Sequence, residues 1–351
     1  MSSISTIVVC EAQVPFVWGG AEVLVRELVA QLRRHGYQTE LVSVPFKWYP
    51  RDEILAHAAA WRLLDLSESC GRPIDLVVAT KFPTYFVRHP RKVAWLVHQY
   101  RAAYELCGTM FSEFDVAELD VALRERIMTL DTEMLGECVR RYSIAQTVTD
   151  RLAHFNGLAA PALYHPPRLA SRLRSGPHGD YALVVGRLES IKRVDLVVQA
   201  MAHVDTPTRL VIAGVGTHEA AVRQTADACG VSDRITFAGA VDDDALLALY
   251  ADALAVVFVP YAEDYGYVTL EAFLARRPVI TARDSGGPLE FVVDGVNGTV
   301  VEPRPEAIAA AVNRYAHART LAAAHGDAGY DRARTITWDG VVEALVGTAG
   351  A

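Results

Sequence analysis

The sequence predicts an α/β protein of two Rossmann-like domains facing across a cleft, and three observations carry that reading. Its 351 residues suit two domains of roughly 150 residues better than one core. Strand-length apolar runs alternate with amphipathic stretches of helical period in both halves, the signature of parallel sheets covered by helices. Between the halves, residues 168–180 hold Ser171, Ser175, Gly176, Pro177 and Gly179 among several arginines, a linker-like composition. The expected domains are therefore 1–167 and 168–334.

In the first half, Ser5 to Cys10 reads as a buried strand leading through Gly19-Gly20 into a helix from about Ala21 to His35, closed by Gly36. Thr39 to Val44 is the next strand, residues 51–69 a helical stretch, and Asp75 to Ala79 and Lys92 to His98 two more strands. Residues 111–142 turn helical, and Ile144 to Thr149 reads as the last sheet element before Pro161, Pro166 and Pro167. In the second half the strands are Tyr181 to Val185, Arg209 to Ala213, Ile235 to Ala238, Ala255 to Val259 and Pro278 to Thr281. Helices over 194–202, 219–229 and 244–252 separate the first four.

A hydrophobic fraction of 51% with 22% charged residues is that of a folded globular chain. A formal charge of -8 argues against a general nucleic-acid binder, which needs clustered cations. The five cysteines, Cys10, Cys70, Cys107, Cys138 and Cys229, form no CxxC pair and suggest reduced, core-filling thiols in a cytoplasmic protein. The N-terminus lacks a basic region and runs into Glu11, unlike a signal peptide, and no apolar run reaches the ~18 residues of a membrane span.

The chemistry concentrates in Pro260 to Gly298. Glu263 and Glu271 lie eight residues apart, the first on a loop after a strand and the second expected in the first turn of a helix starting near Val268. Each carboxylate presents two acceptor oxygens to vicinal hydroxyls of a ribose or a sugar. The amides of Tyr267, Val268 and Thr269 are placed to meet phosphate, and Gly266 allows close backbone approach. Simple electrostatic favouring of a helix N-terminus would explain one glutamate equally well. Upstream, Gly186 ends a strand, and Arg187 and Lys192 emerge at the carboxyl edge that faces the ligand crevice. A guanidinium fork and a mobile ammonium suit a leaving diphosphate.

Trp18-Gly19-Gly20-Ala21-Glu22 places paired glycines at a helix start, where phosphate or sugar can pack against backbone, although a ligand-free turn has the same composition. His98, at a strand end, reads either as a hydrogen-bonding partner of the transferred sugar or as a structural histidine. Asp284-Ser285-Gly286-Gly287-Pro288 is a ligand-facing loop or a plain turn, with Glu290 in a following helix. Gly214-Val215-Gly216 resembles half a dinucleotide fingerprint, and a turn lining the nucleotide suffices for it. Asp242-Asp243-Asp244 imitates a metal-binding Asp-x-Asp, but acidic residues opening a helix explain it better. HExxH, GxSxG and GxxxxGK[ST] are absent.

Together, Gly19-Gly20-Ala21-Glu22, Gly186-Arg187 with Lys192, Glu263-x7-Glu271 and Ser285-Gly286-Gly287 resemble the retaining glycosyltransferases of family 4, which have the GT-B fold. The resemblance implies a hexosyltransferase acting on a nucleotide-diphosphate sugar, GDP-mannose or a UDP-hexose, and an acceptor hydroxyl in glycan, polysaccharide or glycolipid synthesis. It puts the nucleotide in the second domain, with Arg187 and Lys192 on the diphosphate, Glu271 on the ribose, Glu263 on the donor sugar, and Ala240 and Val241 facing the base. It implies no cofactor and no metal, acceptor binding in the first domain, and a final helix, within 335–351, returning to that domain.

Sugar-nucleotide 2-epimerases share the fold, and a non-catalytic nucleotide-sugar sensor is the third reading. Arg88, Arg91 and Lys92 beside Phe82, Tyr85, Phe86 and Trp95 are either a solvated basic loop or a peripheral contact with the inner membrane face.

Overall fold

The computed structural model describes residues 4–347, so the first three residues of the expected first domain and the end of segment 335–351 lie outside them. The chain divides into two compact units, residues 1–165 with 337–351, and residues 166–336.

Unit 1 opens with β1 (Thr6–Gln13), α1 (Gly20–Arg34), β2 (Gln38–Pro45) and α2 (Glu53–Leu63). A short hairpin follows, β3 (Glu68–Ser69) and β4 (Arg72–Pro73), then β5 (Leu76–Ala79), β6 (Lys92–Leu96), α3 (Glu118–Gly136), β7 (Arg140–Ser143) and α4 (Gln146–Asn156). The main sheet runs β2-β1-β5-β6-β7, all parallel, with Val9 opposite Leu41 on one side and Val78 on the other. The central strands are continuous apolar runs because both faces are covered. α1 buries Leu24, Val25, Leu28 and Leu32 on one stripe, and Gly36 ends its last turn at φ +89°.

Two assignments in this unit change. The helical stretch over 51–69 is helix only over Glu53–Leu63: Leu64 turns extended at φ -68°, ψ 130°, and Gly71 at φ +75° turns the hairpin that follows. The last sheet element is Arg140–Ser143, whereas residues 146–149 begin α4, whose stripe of Val148 and Leu152 is buried. The strand was hidden because its two arginines carry no apolar pattern.

Unit 2 contains β8 (Tyr181–Val185), α5 (Val194–Met201), β9 (Arg209–Ala213), α6 (Glu219–Ala228), β10 (Ile235–Gly239), α7 (Asp243–Asp252) and β11 (Ala255–Val257). It continues through α8 (Tyr267–Leu274), β12 (Val279–Ala282), α9 (Pro288–Phe291), β13 (Gly298–Val301), α10 (Pro305–His317) and α11 (Arg319–Ala333). The parallel order β10-β9-β8-β11-β12-β13 reverses direction between β8 and β11. In unit 1 the reversal lies between β1 and β5. Such switch points open a crevice at the carboxyl ends of the strands.

Segment 168–180 is packed rather than a loose tether. Arg168 and Arg172 pair with Asp243 and Asp244, Gly176 N–H donates to Ala251 O at 3.0 Å, and the buried Arg277 guanidinium donates to Gly176 O at 2.5 Å. The final helix α12 (Trp338–Val346) belongs to unit 1, where Trp338 meets Trp95 edge-on at 5.9 Å and Arg140 donates to Leu345 O at 2.9 Å.

Among the cysteines, Cys10 and Cys138 are buried, but Cys70 is exposed in the hairpin turn and so is not a core residue. The basic-aromatic patch is only partly a surface, with Arg88 exposed and Arg91 half-buried on Asp75. Phe82, Tyr85, Phe86 and Trp95 are core residues, and Lys92 Nζ is buried on Tyr85 O at 2.7 Å, Val87 O at 3.0 Å and Glu137 at 3.1 Å. Among the described residues, no helix is long and apolar enough to cross a membrane.

Candidate active site

At the switch point of unit 2, three strand-end loops pack backbone against backbone. Gly186 turns away from β8 at φ +133°, and a Cβ on Gly214 would stand 1.9 Å from Gly186 O. A Cβ on Gly216 would stand 2.3 Å from Leu188 O. The half-fingerprint at Gly214 to Gly216 is thus required for packing whatever else it lines. It holds the Gly186 to Leu188 loop, with Arg187 exposed and in no salt bridge among the described residues.

Lys192 ends a single 3₁₀ turn (Ser190–Lys192), and its ammonium forms an ion pair with Glu263 while lying 5.8 Å from the Phe258 ring centroid. An ammonium has three N–H donors and a carboxylate two oxygens, so this one contact leaves capacity on both groups. The Glu263 loop is set by its neighbour at 284–287. Glu263 N–H donates to Ser285 O at 2.8 Å, Gly287 N–H donates to Glu263 O at 2.8 Å, and Gly286 at φ +74° approaches so closely that its Cβ would lie 2.5 Å from Glu263 O. Asp284 to Pro288 therefore positions Glu263, and Glu290 is a residue of α9.

Gly266 at φ +83° is the N-cap that precedes α8, and a side chain there would press on Phe258 and Pro288 at 3.0 Å. Of the three amides expected to be open, Thr269 N–H is taken by Gly266 O at 3.0 Å. Val268 N–H lies in the first turn, where a helix has no internal acceptor for it. Tyr267 begins the helix and packs on Tyr265 at 5.4 Å. Because α8 begins at Tyr267, Glu271 is its fifth residue and sits past the first turn. The dipole explanation therefore fails for it. Instead Tyr250 on α7 donates a 2.7 Å hydrogen bond to Glu271. Burial pushes the Glu271 carboxyl up, opposed by that bond and by the charge of Arg168.

Ala240, exposed, and Val241, half-buried, follow β10 on the other side of β9 from β8. Asp242 caps α7 by accepting from Ala245 N–H at 2.9 Å, while Asp243 and Asp244 hold Arg168 and Arg172. The three aspartates thus cap a helix and anchor the interdomain segment.

Gly19, Gly20 and His98 belong to unit 1. Gly19 N–H donates to Glu22 at 2.9 Å, and the other carboxylate oxygen of Glu22 accepts from Lys81 Nζ at 2.7 Å. Burial opposes ionisation of Glu22, but Lys81 and the backbone amides outweigh it and hold the carboxyl below its ordinary value. His98 is half-buried, with Nδ1 2.6 Å from Gln99 O. It lines a pocket of about 350 Å³ that Lys81 also lines.

Sequence reasoning missed three residues. Lys81 follows β5 at the carboxyl edge, so the rule that selected Arg187 would have found it. Arg193, in the left-handed region at φ +52°, donates to Val259 O and Pro260 O, both at 2.8 Å, and forks Asp284 at 2.6 and 2.8 Å. It ties the Lys192 turn to the Glu263 loop. Tyr250 carries no local signal, since only the fold brings α7 to α8.

Residues 171–332 match the family model described as Glycosyl transferases group 1. MJ1607 of Methanocaldococcus jannaschii, described as an uncharacterized glycosyltransferase, is 36% identical over 339 residues, 86% of each chain. A D-inositol 3-phosphate glycosyltransferase of Acidothermus cellulolyticus is 26% identical over 344 residues, 88% of this chain and 74% of that one. The fold is similar to that of Anabaena HepE, solved in complex with UDP and glucose, with a TM-score of 0.72 at 14% identity over 98% of this chain and 100% of that one.

Proposed function

Since the chain belongs to the group 1 glycosyltransferases and has their GT-B fold, we propose that it is a retaining hexosyltransferase of family 4 that takes its sugar from a nucleoside diphosphate. The single observation that carries this reading is the Lys192–Glu263 ion pair at the β8–β11 switch point, with Arg187 on the adjoining loop. Positive charge at such a crevice suits a diphosphate, and a carboxylate beside it suits sugar hydroxyls. The UDP of the Anabaena protein favours a UDP-hexose, with GDP-mannose next.

In the proposed reaction the bond from the anomeric carbon to the diphosphate oxygen breaks, and the acceptor oxygen bonds to that carbon on the same face. The acceptor proton passes to the departing phosphate. Arg187, Lys192 and the first-turn amide of α8 stabilise the charge that accumulates there, a metal-independent arrangement built from the chain itself. Glu263 orients the sugar, Glu271 the ribose, and the backbone at Ala240 and Val241 the base. The acceptor is the task of unit 1, with His98 and the Gly19-Gly20 turn at its switch point.

Incubation with a panel of UDP-, GDP- and ADP-sugars and a hydroxyl acceptor tests this, reading released nucleoside diphosphate and the anomeric configuration of the product. The expected result is transfer from a UDP-hexose or GDP-mannose with the donor's configuration kept. An inverted product would overturn retention, and an epimerised donor without transfer would overturn the transferase reading itself.

A further inference from the structure

We propose that the pocket of unit 1 beside His98 takes an acceptor whose hydroxyl is carried on a flat, uncharged, apolar ring system, and not a phosphorylated or sugar-like acceptor. This rests on the glycosyltransferase reading above and specifies its acceptor.

The observation is what the pocket wall offers. Phe46, Trp48, Phe82 and Tyr100 form one connected cluster. Phe46 lies 5.8 Å from Phe82 and 6.5 Å from Trp48, and Phe82 lies 5.7 Å from Tyr100. Phe46 and Phe82 are buried, whereas Trp48 is half-buried and so presents ring surface to the opening. Its volume of about 350 Å³ is at the small end of ligand sites, enough for one or two fused rings. Ring faces of this kind attract flat apolar bodies.

The charged lining groups are already compensated, and the polar ones leave few open positions. Lys81 is paired with Glu22 at 2.7 Å, Arg101 with Glu105 at 2.5 Å, and the Tyr100 hydroxyl donates to Glu113. The buried Gln99 amide donates to Asn156 at 3.2 Å, and its Oε1 has no hydrogen-bond partner among the described residues, which leaves an acceptor for a single hydroxyl. A phosphate entering here would meet cations whose charge is already neutralised by Glu22 and Glu105, and would sit near Glu113, which itself lines the pocket. A polyhydroxylated acceptor would give up its water and find few replacements, at a cost for each unpaired hydroxyl. An apolar ring loses nothing on entering and brings one hydroxyl to the carboxyl edge of the sheet. In the transfer proposed above, that oxygen bonds to the anomeric carbon and its proton leaves with the diphosphate.

The test is calorimetric binding of 2-naphthol, 1-naphthyl phosphate and D-inositol 3-phosphate to the full-length protein without donor. 2-Naphthol is expected to bind at least tenfold more tightly than either phosphate. Trp48→Ala should weaken it about tenfold and Trp48→Phe much less, since a ring face is what is lost. Glu113→Gln should narrow the gap between 2-naphthol and 1-naphthyl phosphate while Tyr100 keeps an acceptor. Tighter binding of either phosphate, or 2-naphthol affinity unmoved by Trp48→Ala, overturns the proposal. A protein that binds 2-naphthol yet releases no nucleoside diphosphate from any donor defeats the transferase reading and leaves the pocket assignment standing. One that turns over donors but prefers the phosphates does the reverse.

Discussion

Glu263 and Glu271 have the same side chain and different surroundings, so they should fail differently. Glu263 is held by backbone bonds to Ser285 and Gly287 and by the charge of Lys192. If Glu263 orients the donor sugar as proposed, Glu263→Ala frees that ammonium and removes the carboxylate that accepts from the sugar hydroxyls, and kcat is expected to fall on the order of 10²-fold at saturating donor, as for loss of a charge-positioning group. Near-normal turnover in that variant would remove Glu263 from the site. Glu271 is positioned through Tyr250, and Tyr250→Phe deletes one hydrogen bond to a charged group, worth about 1.5–3 kcal/mol. The expected outcome is a donor KM raised roughly tenfold or more with kcat largely kept. The bond lowers the Glu271 pKa, so its loss raises it further, and donor affinity should begin to fall at a higher pH on acidification than in the wild type. A pH profile of donor KM for both proteins checks this. The spacing of the pair was visible in the sequence, but the place of Glu271 past the first turn of α8 was not, because the helix begins one residue earlier than its pattern suggests. Tyr250 and Arg193 were not visible either, because each acts across elements distant in sequence.

At the scale of elements, strands with uninterrupted Val, Ile and Leu were legible to within a residue or two, as at Tyr181–Val185 and Arg209–Ala213. β13, α10 and α11 had no assignment. α11 contains Gly326 and Gly329, and two glycines in a helix cost about 1 kcal/mol each relative to alanine, which blurs the pattern. Packing explains their presence. A Cβ at 329 would stand 2.2 Å from the Phe273 ring of α8, and one at 326 would stand 2.1 Å from Arg276 O. Helix propensity favours Gly329→Ala by about 1 kcal/mol, whereas overpacking costs about 1–3 kcal/mol, so the substitution is expected to destabilise. Because α8 carries Glu271, it should also weaken donor binding. A lowered midpoint of thermal unfolding together with a raised donor KM would show both effects, and a raised midpoint would contradict the packing argument.

Over the whole molecule, alternation of apolar runs was enough to give two Rossmann-like domains, because it needs only the average burial of each segment. It did not give the polar groups buried inside them, which no periodicity marks. Asp131 is the clearest case. It lies in α3 with no exposure, accepts from Tyr104 at 2.7 Å, and leaves its other oxygen without a hydrogen-bond partner among the described residues. Burial pushes its carboxyl up to about 7, against an unfolded value near 3.8. Below the unfolded value both states hold the proton and the group is neutral to stability. Between about 4 and 7 the unfolded chain releases the proton while the folded chain keeps it, so stability falls as pH rises and levels off above 7. Asparagine keeps the acceptor for Tyr104 and cannot ionise. The difference in unfolding midpoint between Asp131→Asn and the wild type should therefore shift in the variant's favour from pH 4 to pH 7 and then stay constant. A difference that does not change with pH would mean that Asp131 ionises as readily in the folded chain as in the unfolded one.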